Sequence, residues 1–248
     1  MTLSALVRLT ATETKLFFRE PMAVFFALAF PPVLLVILGS IPSMRQADPA
    51  LGGARGIDLY APILIAMAIT MFAISGLPQQ FTTYREKGAL RRMRTTPVKP
   101  VVLLGAQLLM ATILSAATTA VVLAVGRLAF DVRLPQQPLG YLVGYALAAL
   151  AMFAIGLLVA ALAPTGKSAG AIGTVLFFPI LFFAGLWVPR EAMGAVLRRI
   201  SDLTPLGAGV QALRDAALGH WPQPLHLAVM LGWTIVAGGL AGRYFRWE

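Results

Sequence analysis

Long apolar stretches without any charged side chain dominate the pattern of this sequence. Asp, Glu, Lys and Arg are absent between Lys99 and Arg127, between Arg133 and Lys167, and between Lys167 and Arg190. Similar windows lie at 21–44, 59–84 and 216–242. A helix needs about 20 mostly apolar residues to cross a hydrocarbon core of about 30 Å. The pattern therefore predicts six membrane-spanning helices, at about 22–41, 58–77, 101–125, 139–163, 169–187 and 225–240.

The first 21 residues have a different periodicity. Apolar residues recur at helical spacing through 3–18, whereas Arg8, Lys15 and Arg19 fall on the opposite side of the helix. Such a two-sided helix is typical of a segment that lies in the membrane interface. Pro21 then interrupts the pattern before the first span, because proline cannot donate a backbone hydrogen bond. We expect residues 1–21 to form an interfacial amphipathic helix.

Two longer polar segments separate the predicted spans. Residues 79–100, between the second and third spans, are the most charged part of the chain. Residues 189–224, between the fifth and sixth spans, carry an amphipathic pattern in which Met193, Leu197 and Ile200 share one helical face. This second segment is too polar to cross a bilayer. We expect it to form short helices at the outer face.

Composition indicates one all-α membrane domain over residues 1–248. Hydrophobic residues make up 58% of the chain, and its mean hydropathy is +0.81. The net charge is +10. Because the basic residues are confined to loops between the spans, we interpret them as signals of membrane topology and as contacts for membrane lipids, and we expect no nucleic-acid partner. With a cytoplasmic N-terminus, twelve of the twenty Lys and Arg residues lie inside. We therefore expect both termini to be cytoplasmic.

The predicted spans carry no charged residue at their centres. Such a residue costs about 2.5–3.5 kcal/mol on insertion scales, so it persists mainly where ions or protons are coupled to transport. An ion-driven transporter is therefore disfavoured. The chain has no Cys, and its two histidines, His220 and His226, form no metal-binding pattern. We interpret both as interfacial or water-facing, and we predict no metal site and no catalytic residue.

Residues 161–168 imitate a nucleotide-binding loop. Their sequence, ALAPTGKS, differs from the pattern G-x-x-x-x-G-K-[ST] in that Ala161 replaces the first glycine. A true loop of this kind joins a strand to a helix in a soluble α/β domain. Because this segment joins two predicted spans, we predict that it binds no nucleotide. Any ATP would be used by another chain.

The charged segment 79–100 has two interpretations. A short helix-forming stretch with Glu86 and a cluster of arginines suits docking on an acidic groove of a cytoplasmic partner. Alternatively, its charges only keep the loop on the cytoplasmic side. Composition favours the two equally.

Two motif blocks connect the chain to a known family. Residues 84–98 read YREKGALRRMRTTPV, and residues 178–189 read FPILFFAGLWVP and lead to LTPL at 203–206. With the six spans and the interfacial helix, these blocks resemble the permease subunit of ABC type-2 exporters across essentially the whole chain. The chain is most similar to bacterial drug-resistance permeases of the daunorubicin-exporter type.

The resemblance implies a complex in the bacterial inner membrane. Two copies of the permease would join two copies of a separate ABC ATPase subunit and move a hydrophobic or amphipathic small molecule outward, such as a drug, a lipid or a polyketide-like compound. ATP and Mg²⁺ would be held by the partner subunit, so this chain would carry no cofactor. Multidrug efflux is the activity implied.

The resemblance also implies roles for three sets of residues. Coupling to the ATPase is expected at Tyr84, Arg85, Glu86, Lys87, Gly88, Leu90, Arg91 and Arg92. A substrate path at the dimer axis is expected along Met67, Met71, Phe72, Phe177, Phe178 and Phe182. Packing in the core or against lipid explains each of these six residues at least as well. The outer gate is expected at Pro179, Gly185, Pro189 and Pro205.

Two other functions stay open at this level. An ion-driven secondary transporter would work without any ATPase. A non-catalytic membrane scaffold would have protein partners but no cargo.

Overall fold

The computed structural model describes residues 3–51, 53–88 and 100–244. Within these ranges six helices are long and apolar enough to cross a membrane. The same ranges hold no strand, and their one β-type contact is an isolated bridge between Ala47 and Arg55. The prediction of an all-α membrane protein with six spans is confirmed.

The described helices, in chain order, are α1 (Leu3–Phe17), α2 (Pro21–Ser40), α3 (Gly56–Glu86), α4 (Pro100–Phe130), α5 (Pro138–Leu162), α6 (Gly166–Ala184), α7 (Ala195–Leu203), α8 (Pro205–Ala217) and α9 (Pro224–Tyr244). The six spanning helices are α2 to α6 and α9. Short 3-10 turns lie at Pro42–Arg45, Pro49–Leu51 and Arg190–Ala192.

The helix that contains the predicted second span, 58–77, continues well beyond residue 77. Helix α3 continues to Glu86, so the first part of the predicted loop 79–100 is helical. Pro78 does not end the helix, because a π-helical segment, Met71–Gly76, directly precedes it. The wider π turn changes the backbone bonding where Pro78 has no N–H to donate.

Helix α3 is the centre of the bundle. In an apolar stretch of 18 residues within α3, 83% of the residues are buried, against 22% in the corresponding stretches of α2, α6 and α9. Two glycines, one on each of two helices beside α3, allow this close packing. A Cβ at Gly156 of α5 would lie 2.0 Å from the carbonyl oxygen of Ala73, and one at Gly173 of α6 would lie 2.8 Å from the carbonyl oxygen of Ile74. Glycine lets these helices approach the backbone of the π segment.

Helix α1 packs against α4. Its side towards the bundle buries Thr10, Glu13 and Phe17, whereas Val7 and Phe18 are exposed. Part of the apolar side predicted from the sequence therefore packs against the bundle, and the rest of it is exposed. The interfacial position of α1 stays a prediction.

The segment between the fifth and sixth spans forms α7 and α8. Helix α8 is buried among α3, α5, α6 and α9, with Leu206, Val210 and Leu213 inside. Its first turn is well defined, because the Thr204 hydroxyl accepts a 3.2 Å hydrogen bond from the Gly207 N–H. The predicted placement of this segment at the outer face stays a prediction.

The bundle has two ends, which we name by residues. At the Glu86 end lie the last residues of α3 and α5 and the first residues of α6. At the Arg190 end, Arg55 before α3 donates a 2.8 Å hydrogen bond to the carbonyl of Asp131 after α4. By the charge count of the sequence, the Glu86 end is expected to be cytoplasmic.

Candidate coupling site and transport path

Three consecutive side chains at the end of α3 contact three other helices. They are Tyr84, Arg85 and Glu86, which we call the coupling hub. Successive residues of a helix point in directions about 100° apart. A run of three polar residues can therefore reach partners on different sides.

Tyr84 connects α3 to α1, and through Glu13 of α1 to Gln107 of α4. Its hydroxyl donates a 2.7 Å hydrogen bond to Oε2 of Glu13, and Nε2 of Gln107 donates a 2.6 Å hydrogen bond to the same oxygen. Both Glu13 and Gln107 are buried. Burial raises the pKa of the Glu13 carboxyl above its ordinary value of 4.5, although the two hydrogen bonds act in the opposite direction.

Sequence reasoning missed Glu13. The signal was present, because Glu13 lies three residues after Thr10 and four before Phe17, on the side of α1 that packs against the bundle. A carboxylate on an inward side needs hydrogen-bond donors opposite it.

Arg85 holds the end of α5. Its guanidinium donates a 3.2 Å hydrogen bond to the carbonyl of Ala160 and a second, shorter one to the carbonyl of Ala163. The last carbonyls of a helix have no partner within the helix, and their partial negative charge favours a cation. Arg85 therefore binds the C-terminal turn of α5 electrostatically.

Glu86 holds the start of α6. Its Oε1 accepts a 3.2 Å hydrogen bond from the backbone N–H of Gly166. The segment 161–168, which resembles a nucleotide-binding loop in sequence, caps the N-terminus of α6. The Thr165 hydroxyl accepts a 3.1 Å hydrogen bond from the Ser168 N–H, and the Ser168 hydroxyl accepts one from the Thr165 N–H. An anion such as Glu86 is favoured at this N-terminus.

The other predicted coupling residues have different surroundings. Lys87 is exposed, and Gly88 adopts a left-handed conformation with φ of +65° just after α3 ends. Leu90, Arg91 and Arg92 lie outside the described residues. The role of the whole set in coupling stays a prediction.

The predicted path residues do not share one environment. Met67 and Phe72 are buried in the bundle, and Phe72 lies with its ring centre 5.6 Å from that of Phe17. Met71, Phe177 and Phe182 are half-buried. Phe178 is 56% exposed and stacks on Trp187 at 5.7 Å. Burial of the first two is typical of core packing, and the path itself stays a prediction.

The predicted gate residues shape the backbone at the Arg190 end. Pro179 is exposed inside α6, and Gly185 ends that helix in a left-handed conformation with φ of +96°. Pro189 precedes the turn Arg190–Ala192, and Pro205 is the buried first residue of α8. Their function as a gate stays a prediction.

Ion pairs fasten the segment that contains these residues. Arg190 binds Asp202 through two nitrogens, the shortest distance being 2.7 Å. Arg214 of α8 pairs with Glu191 at 2.5 Å. These pairs join the turn after α6 to α7 and α8.

The interpretation of both histidines as interfacial or water-facing is wrong for His226. His220 is exposed, but His226 is 3% exposed and its Nε2 lies 3.6 Å from Asp202. No pattern along the chain indicates this burial, because Asp202 comes from a different helix.

Comparisons with known proteins agree with this architecture. The family model described as "ABC-2 type transporter" matches residues 4–218. A relative, Nodulation protein J of Neorhizobium galegae, is 28% identical over 221 residues, which cover 85% of this chain and 80% of that protein. Permeases of this family are membrane subunits whose ATPase is a separate subunit. The chain thus belongs to the ABC-2 type transporter family, as a multi-pass membrane permease subunit of an ABC exporter.

Proposed function

We propose that this permease uses ATP hydrolysis in two copies of a separate ATPase to move a hydrophobic or amphipathic compound outward. Two copies of the chain would form the membrane-embedded part of the transporter in a bacterial inner membrane, with their termini in the cytoplasm. The observation that supports the proposal most is the coupling hub. Its three side chains link one exposed chain segment to three further helices.

The hub supplies a route for mechanical coupling. Residues 87 and 88 directly follow α3, so a partner that pushes on them moves the end of that helix. Tyr84, Arg85 and Glu86 then carry α1, α5 and α6 with it through the hydrogen bonds described above. The segment Met71–Gly76 can act as the hinge, since π turns interrupt the regular bonding of a helix.

The exposed side of α6 supports a dimer. Ile172, Val175 and Phe178 are exposed there, and this helix begins at the hub contact of Glu86. A second copy packed against this side would place Phe178, Phe177 and Phe182 near the dimer axis. Apolar aromatic walls suit a hydrophobic or amphipathic cargo, because they bury area without demanding directional bonds.

Family membership favours the permease over the ion-driven transporter and the scaffold. The relative is named for nodulation and not for drug resistance. We therefore define the cargo by its class, and multidrug efflux is one form of the proposal.

The first experiment is purification of the tagged chain from native membranes in mild detergent, with identification of its partners by mass spectrometry. A co-purifying ATPase with a complete G-x-x-x-x-G-K-[ST] loop is expected. Recovery of the chain without any ATPase would contradict the proposal.

The hub is then tested with Glu86→Gln in the reconstituted complex. We expect the ATPase to bind normally, whereas cargo export and stimulation of ATP hydrolysis by cargo are lost, because the neutral amide weakens the contact with Gly166. Glu20→Gln is the matched control, since Glu20 is exposed on a linker at the same end of the bundle. Unchanged export by Glu86→Gln would remove the hub from the mechanism.

A further inference from the structure

A cavity of about 590 Å³ lies at the Arg190 end, within a single copy of the chain. Its walls come from the start of α3, the end of α4, residues 47, 51 and 53–55 before α3, residues 132, 133 and 135 after α4, the start of α5 and the end of α8. Small-molecule sites commonly have volumes of about 300–1,000 Å³. The cavity therefore has the size of a ligand site and lies apart from the proposed dimer axis.

The cavity is amphipathic. Leu59, Leu123, Val132 and Tyr141 give it apolar walls, and apart from Leu123, which is half-buried, these side chains are at most 9% exposed. Its charged lining comprises three arginines and one aspartate: Arg55, Arg133, Arg214 and Asp58. The excess of positive charge favours a ligand with an acidic group.

Two of the three arginines are already bonded. Arg55 binds both carboxylate oxygens of Asp58, at 2.7 and 2.8 Å, and also donates to the carbonyls of Phe130 and Asp131. Arg214 pairs with Glu191. These two side chains hold the walls of the cavity together.

Arg133 is different, because no hydrogen bond or ion pair joins its side chain to any residue in the described part of the chain. It is exposed in the connection between α4 and α5, beside the buried Val132. A guanidinium without a carboxylate partner, at the edge of an apolar cavity, can bind a phosphate or carboxylate through two parallel hydrogen bonds.

We propose that this cavity binds a single-chain amphipathic anion, with its acidic group at Arg133 and its alkyl part against Leu59, Leu123 and Tyr141. Such a molecule could be a membrane lipid or the cargo near its exit, and both sources share this chemistry. If the ligand is the cargo, the proposed site rests on the proposed function. If the ligand is a membrane lipid, the site is independent of that function.

The test uses the purified permease without its ATPase, in phosphatidylcholine nanodiscs. The probe is a dodecyl phosphate that carries a photoreactive diazirine near the end of its chain, and cross-linked residues are mapped by mass spectrometry. We expect cross-links on the peptides that contain Leu59, Leu123 and Tyr141. A dodecyl trimethylammonium probe with the same diazirine should give at least fivefold less labelling there.

Arg133→Gln should reduce the labelling by the phosphate probe at least fivefold. Arg127→Gln is the matched control, because Arg127 lies at the same end, is half exposed, and pairs with Asp131 outside the cavity lining. Both variants remove one positive charge from the same region, so a general effect of surface charge would lower both equally. Equal labelling by the two probes, or equal effects of the two substitutions, would overturn the proposal.

A last arm distinguishes the two sources. In the complete complex, loss of the bound probe during ATP hydrolysis identifies transported cargo, whereas retention identifies a resident lipid. Both results support the site. A failure of ATP coupling would affect only this arm, so it cannot be mistaken for a failure of the binding site.

Discussion

At the scale of single residues, Glu13 shows how much one buried carboxylate can organise. It accepts hydrogen bonds from Tyr84 and Gln107, which lie 71 and 94 positions further along the chain, on two other helices. A buried charge without such donors would cost several kcal/mol. Its burial nevertheless leaves the acid weaker than an exposed glutamate.

This leads to a prediction for the pH dependence of stability. A carboxyl whose pKa is higher in the folded state binds its proton more tightly there than in the unfolded state. The free energy of unfolding therefore contains a contribution that is complete below pH 4.5 and is lost as the pH rises through the raised pKa of Glu13. Glu13→Gln cannot titrate, and we expect it to flatten this slope in detergent unfolding measurements between pH 4 and 7, values chosen around the ordinary pKa of glutamate.

The exposed Glu20 provides the control for that measurement. Glu20→Gln should keep the slope of the unmodified protein. A Glu13→Gln protein with an unchanged slope would show that the carboxyl does not titrate as its burial implies.

A second residue-scale prediction concerns Gly156. A methyl group there would lie 2.0 Å from the carbonyl oxygen of Ala73, so Gly156→Ala must push α5 away from α3. We expect the free energy of unfolding to fall by roughly 1–3 kcal/mol, as is typical of overpacking. Thermal unfolding in detergent measures this change.

Gly232→Ala is the matched control, because a Cβ at Gly232 of α9 meets no atom within 4 Å. Alanine is the better helix former, so this variant should be at least as stable as the unmodified protein. Equal losses in the two variants would mean that the approach of α5 to α3 is not tight.

At the scale of helices, α3 is held by polar contacts at its end and by close packing at its middle. The Glu86 end joins α3, α5 and α6 through Arg85 and Glu86, which satisfy carbonyl and N–H groups that helices leave unpaired. The middle of α3 is instead held by shape, since close glycines surround its π segment. The helix is thus firmly attached at its end and interrupted at its centre.

Replacing Arg85 by Gln tests the first of these attachments. The last turn of α5 loses its charged donor, and we expect a loss of roughly 1.5–3 kcal/mol in the free energy of unfolding, towards the lower value because Arg85 is half-buried. Hydrogen exchange should become faster in residues 160–168. Lys87→Gln, at an exposed position, should leave the exchange of these residues unchanged.

At the scale of the whole molecule, the direction of the bundle in the membrane decides which end meets an ATPase. The charge count predicts that the Glu86 end is cytoplasmic. The chain contains no Cys, so single introduced cysteines can report each end without background.

We expect a membrane-impermeant maleimide to label Gln136→Cys in intact cells and Lys87→Cys only after permeabilisation. Both positions are exposed, one at each end of the bundle. Labelling in the reverse order would place the hub outside and would contradict the proposed coupling.

A second measurement at this scale tests the dimer. Val175 is 71% exposed on α6, and Leu150 is 53% exposed on α5. If α6 faces a second copy, Val175→Cys should form an oxidised dimer in native membranes, whereas Leu150→Cys should not. A cross-link from Leu150→Cys alone would place the dimer axis elsewhere.

The sequence by itself determined the six spans and the family, because apolar length and local motifs are properties of neighbouring residues. Only the tertiary structure decided which side chains meet. Glu13 lies 71 positions before Tyr84 and 94 before Gln107, and Glu86 lies 80 before Gly166. No periodicity within one helix can report such contacts. The burial of His226 and the cavity beside Arg133 depend in the same way on how distant helices pack.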